Sequence, residues 1–534
     1  MFQKININSL EKIEYLLKQR NTFSCEHTLL NLAVWGEEFD MHYYLDDDML
    51  IIRVLEKNGF VFSVPFSNDL SKSVMLVKEY CDKNNIPPIF WFEEGEILNE
   101  FQKITNEEYE PCLLRGNCEY IYLRENLANL SGKKYHSKRN HISTFSKKYN
   151  WCYEDIKGEN IDEILEITQR WSDEKLNNKL INSEIDGIKL MLENIEKFDI
   201  KGGLIKVEGK AVAFCLGTPI NSEVFDINVE KALPEFAGAY PVINNEFAKR
   251  LKSKYINRED DLGIEGLRKA KLSYKPEFLL NKYLCIPKNL LKMSADLHKE
   301  TFGDNGEFTE KLVSNFFAEN CFYVLENCKI VSQMFVLDCQ LEGEKCGYIY
   351  AAATTASERN KGHMKNLIAM AKQYYPRLCL KPANESLYAF YEKFGFQTAF
   401  YSNNSFEKTT DFLEVRYQEI KNIEEYKNIK SSFGQQNALN LGDKALELIF
   451  DEYHIITSKD DSMEFLATFC IENNILKIKE LFCNSEPNNL IATLINKFGC
   501  YSCVLDMNYG KCDVKSGMIY PKTQNKFYLG NAID

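Results

Sequence analysis

Arg359-Asn360-Lys361-Gly362-His363-Met364 separates a strand-like run from a helix-like run, and the reading of the fold starts here. Upstream, Cys346-Gly-Tyr-Ile-Tyr-Ala-Ala-Ala-Thr-Thr355 is apolar and rich in strand-forming Tyr, Ile and Thr. Downstream, Met364, Leu367, Ile368 and Ala371 fall at helical spacing in a run that reaches Tyr375. A strand that feeds a short glycine turn and then a helix presents backbone N–H groups at the helix N-terminus. Together with the helix dipole these groups suit a pyrophosphate.

A second block follows, Asn384-Glu-Ser-Leu-Tyr-Ala-Phe-Tyr-Glu-Lys-Phe-Gly-Phe396. In this order and spacing the two blocks resemble the acyl-CoA-binding core of the Gcn5-related N-acetyltransferases. The resemblance implies that Arg359 and the backbone of Asn360, Lys361, Gly362, His363 and Met364 hold the phosphates of acetyl-CoA as co-substrate. It further implies that Asn384 borders the pantetheine path, that Ala353, Thr354 and Thr355 supply an oxyanion donor, and that Tyr391 protonates the departing thiolate. The family pattern ends in a small residue where this chain has Met364. A phenol suits the acid role, because its basicity is close to that of a thiolate. The base that takes the amine proton stays open among Glu326, Asp338, Glu342 and His363.

At 534 residues the chain exceeds one hydrophobic core and is expected to hold several domains. A net charge of −13 argues against broad duplex nucleic-acid binding. No apolar run approaches the roughly 18–20 residues of a membrane span, and the first residues lack the apolar core of a signal peptide. A cytoplasmic protein without an integral membrane segment is expected. The 17 cysteines are scattered, and those in strand-like runs (Cys215, Cys321, Cys379) read as small buried hydrophobes. Cys500 and Cys503, with Cys512 nearby, lack the second ligand pair of a zinc site, so no metal is expected.

Helix-like and strand-like segments alternate throughout. Helices are predicted over 5–20, 70–84, 160–178 and 241–254, and strands over 49–55, 203–207, 211–218 and 222–229. Hairpins are predicted at Leu204–Phe214, turning at Glu208-Gly209-Lys210, and at Phe322–Val336, turning at Asn327 to Lys329. The strongest break lies near Cys285-Ile-Pro287. The last segment is expected to close with a strand pair, Gly517–Pro521 against Phe527–Gly530.

Two stretches mark the N-terminal half. Ser131–Lys148 carries six Lys or Arg in eighteen residues, which fits either a solvated helix face or a phosphate-facing surface. Asn257-Arg-Glu-Asp-Asp-Leu-Gly-Ile-Glu-Gly-Leu-Arg-Lys-Ala-Lys-Leu-Ser-Tyr-Lys-Pro276 alternates carboxylates and cations around two glycines. With Glu230–Tyr240 and Asn21–Trp35, it resembles a bacterial family described as lysylphosphatidylglycerol-synthase C-terminal-like. That resemblance covers about residues 1–285 and implies two tandem acetyltransferase-like lobes, roughly 1–130 and 131–285. An acetyltransferase domain over 286–410 and a companion lobe over 411–534 complete the expected order. The expected fold class is α/β (α+β), with tandem acyl-CoA N-acyltransferase folds and mixed central sheets flanked by helices. Asp260, Asp261 and Glu265 are candidates to orient an acceptor amine, and Lys133, Lys138, Arg139 and Arg268 to face phosphates or a carboxylate. Asp261 and Arg268 also suit a plain structural pair at a turn.

The implied function is acyl transfer to a small-molecule or peptide amine, with acetyl-CoA as donor at the C-terminal module. The better-studied relatives of the N-terminal region move aminoacyl groups from charged tRNA. An aminoacyl-tRNA-dependent transferase with a regulatory C-terminal module is therefore the alternative reading. A non-catalytic acyl-CoA sensor is a third.

Overall fold

The computed structural model describes residues 1–173, 179–303, 306–402, 415–434, 438–458, 464–484, 487–505, 514–527 and 529. Its chain divides into two compact units, Met1–Lys288 and Asn289–Asp534. Each unit holds two mixed sheets.

One construction recurs four times. Antiparallel strands run up and down, the last feeds a helix, and the helix delivers a strand parallel to it. In unit 1 these are β1 (Gly59–Ser63), α1 (Leu70–Asn84) and β2 (Phe90–Glu93), then β3 (Val224–Ala232), α2 (Ala239–Arg250) and β4 (Tyr255–Asn257). In unit 2 they are β5 (Glu344–Thr354), α3 (His363–Tyr374) and β6 (Leu378–Leu380), then β7 (Ile475–Cys483), α4 (Pro487–Lys497) and β8 (Ser502–Leu505). Parallel neighbours need such a crossover, which is why a helix intervenes each time.

The antiparallel hairpins are set by two-residue turns at Glu208-Gly209, Asn327-Cys328, Glu342-Gly343 and Asn473-Asn474, where both central residues have positive φ. This is the primed turn geometry whose twist matches that of strands. The predicted hairpins form at the expected places. The predicted helix over 5–20 shortens to Leu10–Leu17, and residues 174–178 of the one predicted over 160–178 lie outside the described residues.

The sheets do not follow chain order. Lys282–Pro287 lies in the first sheet between β2 and Tyr109–Leu113, pairing antiparallel with both. Glu119–Leu123 sits in the second sheet beside β4. In unit 2, Val514–Tyr520 inserts between β6 and Gln397–Ser402. Of the expected strand pair at the chain end, Gly517–Tyr520 joins the third sheet and Phe527 bridges Phe400, while Tyr528 and Gly530 lie outside the described residues.

Each parallel pair is short. β3 meets β4 at three register positions and β5 meets β6 at three, after which the longer strand leaves its parallel neighbour and keeps only its antiparallel one. Both long strands are bulged just past the split. Two residues oppose one between Asp226 and Val229 of β3, and again between Tyr350 and Ala353 of β5. Such bulges bend a strand away from its neighbour.

Candidate functional site

Two places concentrate chemistry. In unit 2, Gly362 adopts φ +89° and caps α3, a left-handed conformation that favours glycine. A Cβ there would meet nothing within 4 Å, so the space before the helix is open. The first intrahelical bond runs from Asn366 N–H to the Gly362 carbonyl at 3.1 Å. The N–H groups of His363, Met364 and Lys365 therefore have no acceptor within the helix. Met364 packs onto the core beside Leu367 and Ile368. Its side chain is thus part of the packing of this helix onto the sheet.

Arg359 is exposed, with Nε donating to the Thr354 carbonyl at 3.3 Å. Lys361 pairs with Glu358 at 2.8 Å and holds that carboxyl below its ordinary range. His363 is buried, with Nε2 3.5 Å from the same carboxylate. Asn360 has φ +65° and completes the turn.

The bulge of β5 lies at Ala351 and Ala352, slightly before the expected Ala353–Thr355, and Ala351 carries φ +50°. Ala353 and Thr354 keep register partners, and Thr355 N–H donates to the Val331 carbonyl at 2.9 Å. Asn384 opens the helix Glu385–Glu392, and its Oδ1 accepts from Ser386 Oγ at 2.6 Å. Tyr391 is buried between Phe390 and Phe396, and burial pushes its phenol up to about 12. Its hydroxyl has no hydrogen-bond partner among the described residues. Of the base candidates, Asp338 accepts from Tyr375 OH at 3.1 Å, Glu342 pairs with Arg377 at 3.1 Å, and Glu326 is exposed.

The same turn in unit 1 is built differently. Gly238 has φ +99° and caps α2, yet a Cβ would meet the His141 carbonyl at 3.1 Å and Phe145 Cβ at 3.3 Å. The helix His136–Lys148 roofs this turn. The N-terminus of α1 is satisfied by Asp69, whose Oδ1 accepts from Lys72 N–H at 2.9 Å. Of α1, α2 and α3, it is α3 that joins a left-handed glycine to open space.

Unit 1 instead carries a buried ionic cluster. The Lys282 ammonium, fully buried, lies between the carboxylates of Glu119 and Glu26. Burial works against its charge, but Glu119 and Glu26 raise its pKa well above the ordinary value. Glu119 also accepts from Ser24 Oγ at 2.8 Å, Cys25 N–H at 3.1 Å, Cys25 Sγ at 3.3 Å and Asn257 Nδ2. Asp226, with no exposed surface, accepts from Asn228 at one oxygen, while its Oδ1 has no partner. Cys25, Asp226 and Glu259 bring one donor atom each within 4.8 Å of one another.

Burial and the neighbouring carboxylates raise the pKa of Asp226 far above its usual range. Burial lifts Glu259 to about 8 against Lys271, and Glu26 to about 7 against Lys282. Lys271, itself lowered by burial, donates to the Arg258 carbonyl at 2.5 Å and to the Asp260 carbonyl. Carboxyls that titrate near neutrality can give or take protons at physiological pH.

The sequence-derived residues divide around this cluster. Asp260 borders it, with burial raising its pKa against Lys282 and Lys271. Lys138 lies 3.7 Å over the Tyr274 ring, and burial and Arg258 bring it down to about 8. Asp261 is a buried clamp, accepting from Arg268 at 2.8 and 2.9 Å, Arg115 at 3.1 Å, Tyr120 OH at 2.6 Å and Gly263 N–H at 2.9 Å. Arg139 caps the carbonyls of Leu130 and Gly132. Glu265 sits at the surface, 2.5 Å from Lys269, and Lys133 is exposed. Sequence reading missed Glu26, Glu119, Asp226, Glu259, Lys271 and Lys282 as site residues. A usable mark existed: Glu119 and Lys282 are charges that open largely apolar strands, and Asp226 follows the apolar Val224-Phe225 in its strand. Cys500 and Cys503 are half-buried, and Cys512 lies outside the described residues.

Residues 17–286 match the family model described as phosphatidylglycerol lysyltransferase, C-terminal. A crystal structure of a conserved protein of unknown function from Bacteroides thetaiotaomicron is 34% identical, with a TM-score of 0.50 over 53% of this chain and 99% of that one. The structure of L-PGS from Bacillus licheniformis is 18% identical, with a TM-score of 0.37 over 52% of this chain and 92% of that one. An uncharacterised protein of Mycoplasmoides gallisepticum is 24% identical over 176 residues, 32% of this chain, and the chain spans 56% of that relative's length. No described helix is long and apolar enough to cross a membrane. The fold is a mixed α/β one, and the chain belongs to the phosphatidylglycerol lysyltransferase C-terminal family.

Proposed function

We propose that the chain is an acyltransferase that takes an acyl-CoA, acetyl-CoA in the simplest case, at the Gly362 turn and passes the acyl group to an amine. The observation that carries this reading is the open left-handed glycine at the start of α3, flanked by Arg359 and Lys361. The N–H groups of the first helical turn receive the phosphates, and Arg359 exchanges the Thr354 carbonyl for them. The amine nitrogen bonds to the thioester carbonyl carbon and releases its proton to solvent. The bulge at Ala351 and Ala352 lies where the carbonyl oxygen gains charge. The carbon–sulfur bond breaks, and Tyr391, kept protonated by burial, gives its proton to the thiolate sulfur. Isothermal calorimetry with acetyl-CoA, followed by turnover against an amine panel, tests this. Tyr391→Phe is expected to lower kcat while leaving acetyl-CoA affinity unchanged. Failure of millimolar acetyl-CoA to bind the wild-type chain would remove the reading.

A second reading places an aminoacyl transfer from charged tRNA in unit 1. Two observations favour it: the roofed Gly238 turn leaves no room for CoA phosphates, and the nearby cluster holds carboxyls that titrate near neutrality. Charged tRNA should then bind at low salt and be weakened by Lys147→Glu with Lys148→Glu on the roofing helix. Equal binding by wild type and double variant would count against it.

A further inference from the structure

Three of the cysteines converge inside the third sheet. Cys339 lies on Lys329–Leu341, Cys346 on β5 and Cys379 on β6, so that three adjacent strands each contribute one. Cys339 and Cys346 are direct cross-strand partners, and Cys379 is paired with Tyr348, two residues along β5. All three are buried, with none more than 4% exposed. Their sulfurs lie within 4.8 Å of one another, and Cys346 and Cys379 are 3.7 Å apart.

That spacing has a chemical meaning. Metal–thiolate bonds of about 2.3 Å place two sulfurs of a tetrahedral site about 3.8 Å apart, and those of a trigonal site about 4.0 Å apart. The thiols are therefore near ligand distance before any ion arrives. Their present contacts are weak: Cys339 Sγ donates to the Cys346 carbonyl at 3.1 Å and Cys379 Sγ to the Gly347 carbonyl at 3.7 Å. No histidine or carboxylate among the described residues joins the group.

We propose that Cys339, Cys346 and Cys379 form a closed three-thiolate site for a soft, thiophilic metal ion. Thiolates select such ions over magnesium, calcium or manganese. Taking up a divalent ion replaces the proton of each thiol that binds it, the protons passing to solvent, and forms three metal–sulfur bonds without oxidation or reduction. The site lies where β5 and β6 are still paired, at the closed end of the split that opens toward the Gly362 turn. A bound ion would staple the three strands at that end.

The test uses the full chain, produced with zinc in the medium and then exchanged with Cd2+. One tightly held metal per chain is expected, with a thiolate-to-cadmium charge-transfer band in the ultraviolet. The Cys379→Ala variant should lose both, whereas Cys503→Ala, at the C-terminal Cys-x-x-Cys, should keep both. Circular dichroism establishes that each variant is folded, and if Cys379→Ala is not, Cys339→Ser serves instead. Metal loading should also raise the melting temperature of the wild type and leave that of the cluster variant unmoved. If the wild type retains no more metal than the cluster variant, or the band survives in it, the three residues are packed thiols and the proposal falls.

Discussion

Gly238 and Gly362 occupy the same point of the same motif, yet one is roofed and the other open. Each follows a bulged strand, adopts a left-handed φ and caps the crossover helix that leads to a parallel strand. At Gly238 the helix His136–Lys148 fills the space that an anion would need, while at Gly362 that space is empty. Backbone geometry alone therefore does not make a phosphate site. What stands over the turn differs between the two, and the buried charges of unit 1 gather around Lys282 instead.

The largest expected effect separates the two units. Lys282→Met leaves Glu119 and Glu26 facing each other in the interior without their ammonium, which costs about 3–5 kcal/mol. Chemical denaturation should show unit 1 unfolding early, while acetyl-CoA binding by unit 2 survives. Loss of both together would mean that the units are not separable in this way.

A matched pair of substitutions probes the turns directly. Gly238→Ala meets both the left-handed φ and the His141 carbonyl at 3.1 Å, and should lose about 2–3 kcal/mol with no change in acetyl-CoA affinity. Gly362→Ala meets the φ penalty alone, about 1–2 kcal/mol, and should weaken acetyl-CoA. Equal destabilisation of the two would erase the roofed-versus-open distinction.

The next test is a pH profile. Glu259 has a folded pKa of about 8, above its ordinary carboxyl value, so the folded state binds the extra proton between the two. Its stabilising share is complete below the unfolded pKa and is lost as pH rises through about 8. The melting temperature of unit 1 should therefore fall by several degrees from mildly acid to mildly alkaline pH, and Glu259→Gln should flatten that slope. An unchanged slope in the variant would assign the pH response elsewhere in the cluster.

The smallest effect is expected at Arg359. Its replacement by Ala should weaken acetyl-CoA roughly tenfold, the loss of one charge-assisted contact, without moving the melting temperature. Calorimetry on Arg359→Ala beside Arg139→Ala, whose guanidinium caps backbone carbonyls, distinguishes a ligand-facing arginine from a structural one.

The hairpins and the α3 crossover were legible because their determinants are local. Two-residue alternation, turn residues that accept positive φ and helical spacing all lie within a few positions of one another. The Gly362 turn was legible for the same reason. The cluster of unit 1 was not legible as a site, because Glu119 reaches Ser24 across 95 positions, Asn257 across 138 and Lys282 across 163. Its members look like isolated charges in strands until the sheets bring them together. Asp261 was legible in one of its two readings: the structural pair with Arg268 forms, and five donors in all converge on its carboxylate.

Lys282–Pro287 sits inside the first sheet although it is the last strand of unit 1 to be synthesised. Until it emerges from the ribosome, Phe90–Glu93 and Tyr109–Leu113 lack their common neighbour, and Glu119 lacks its cation. Such late, long-range pairing slows folding and leaves strand edges exposed in the meantime. The N-terminal lobe is thus expected to wait for nearly all of unit 1 before it can close, so its two sheets should fold as one cooperative event rather than in succession.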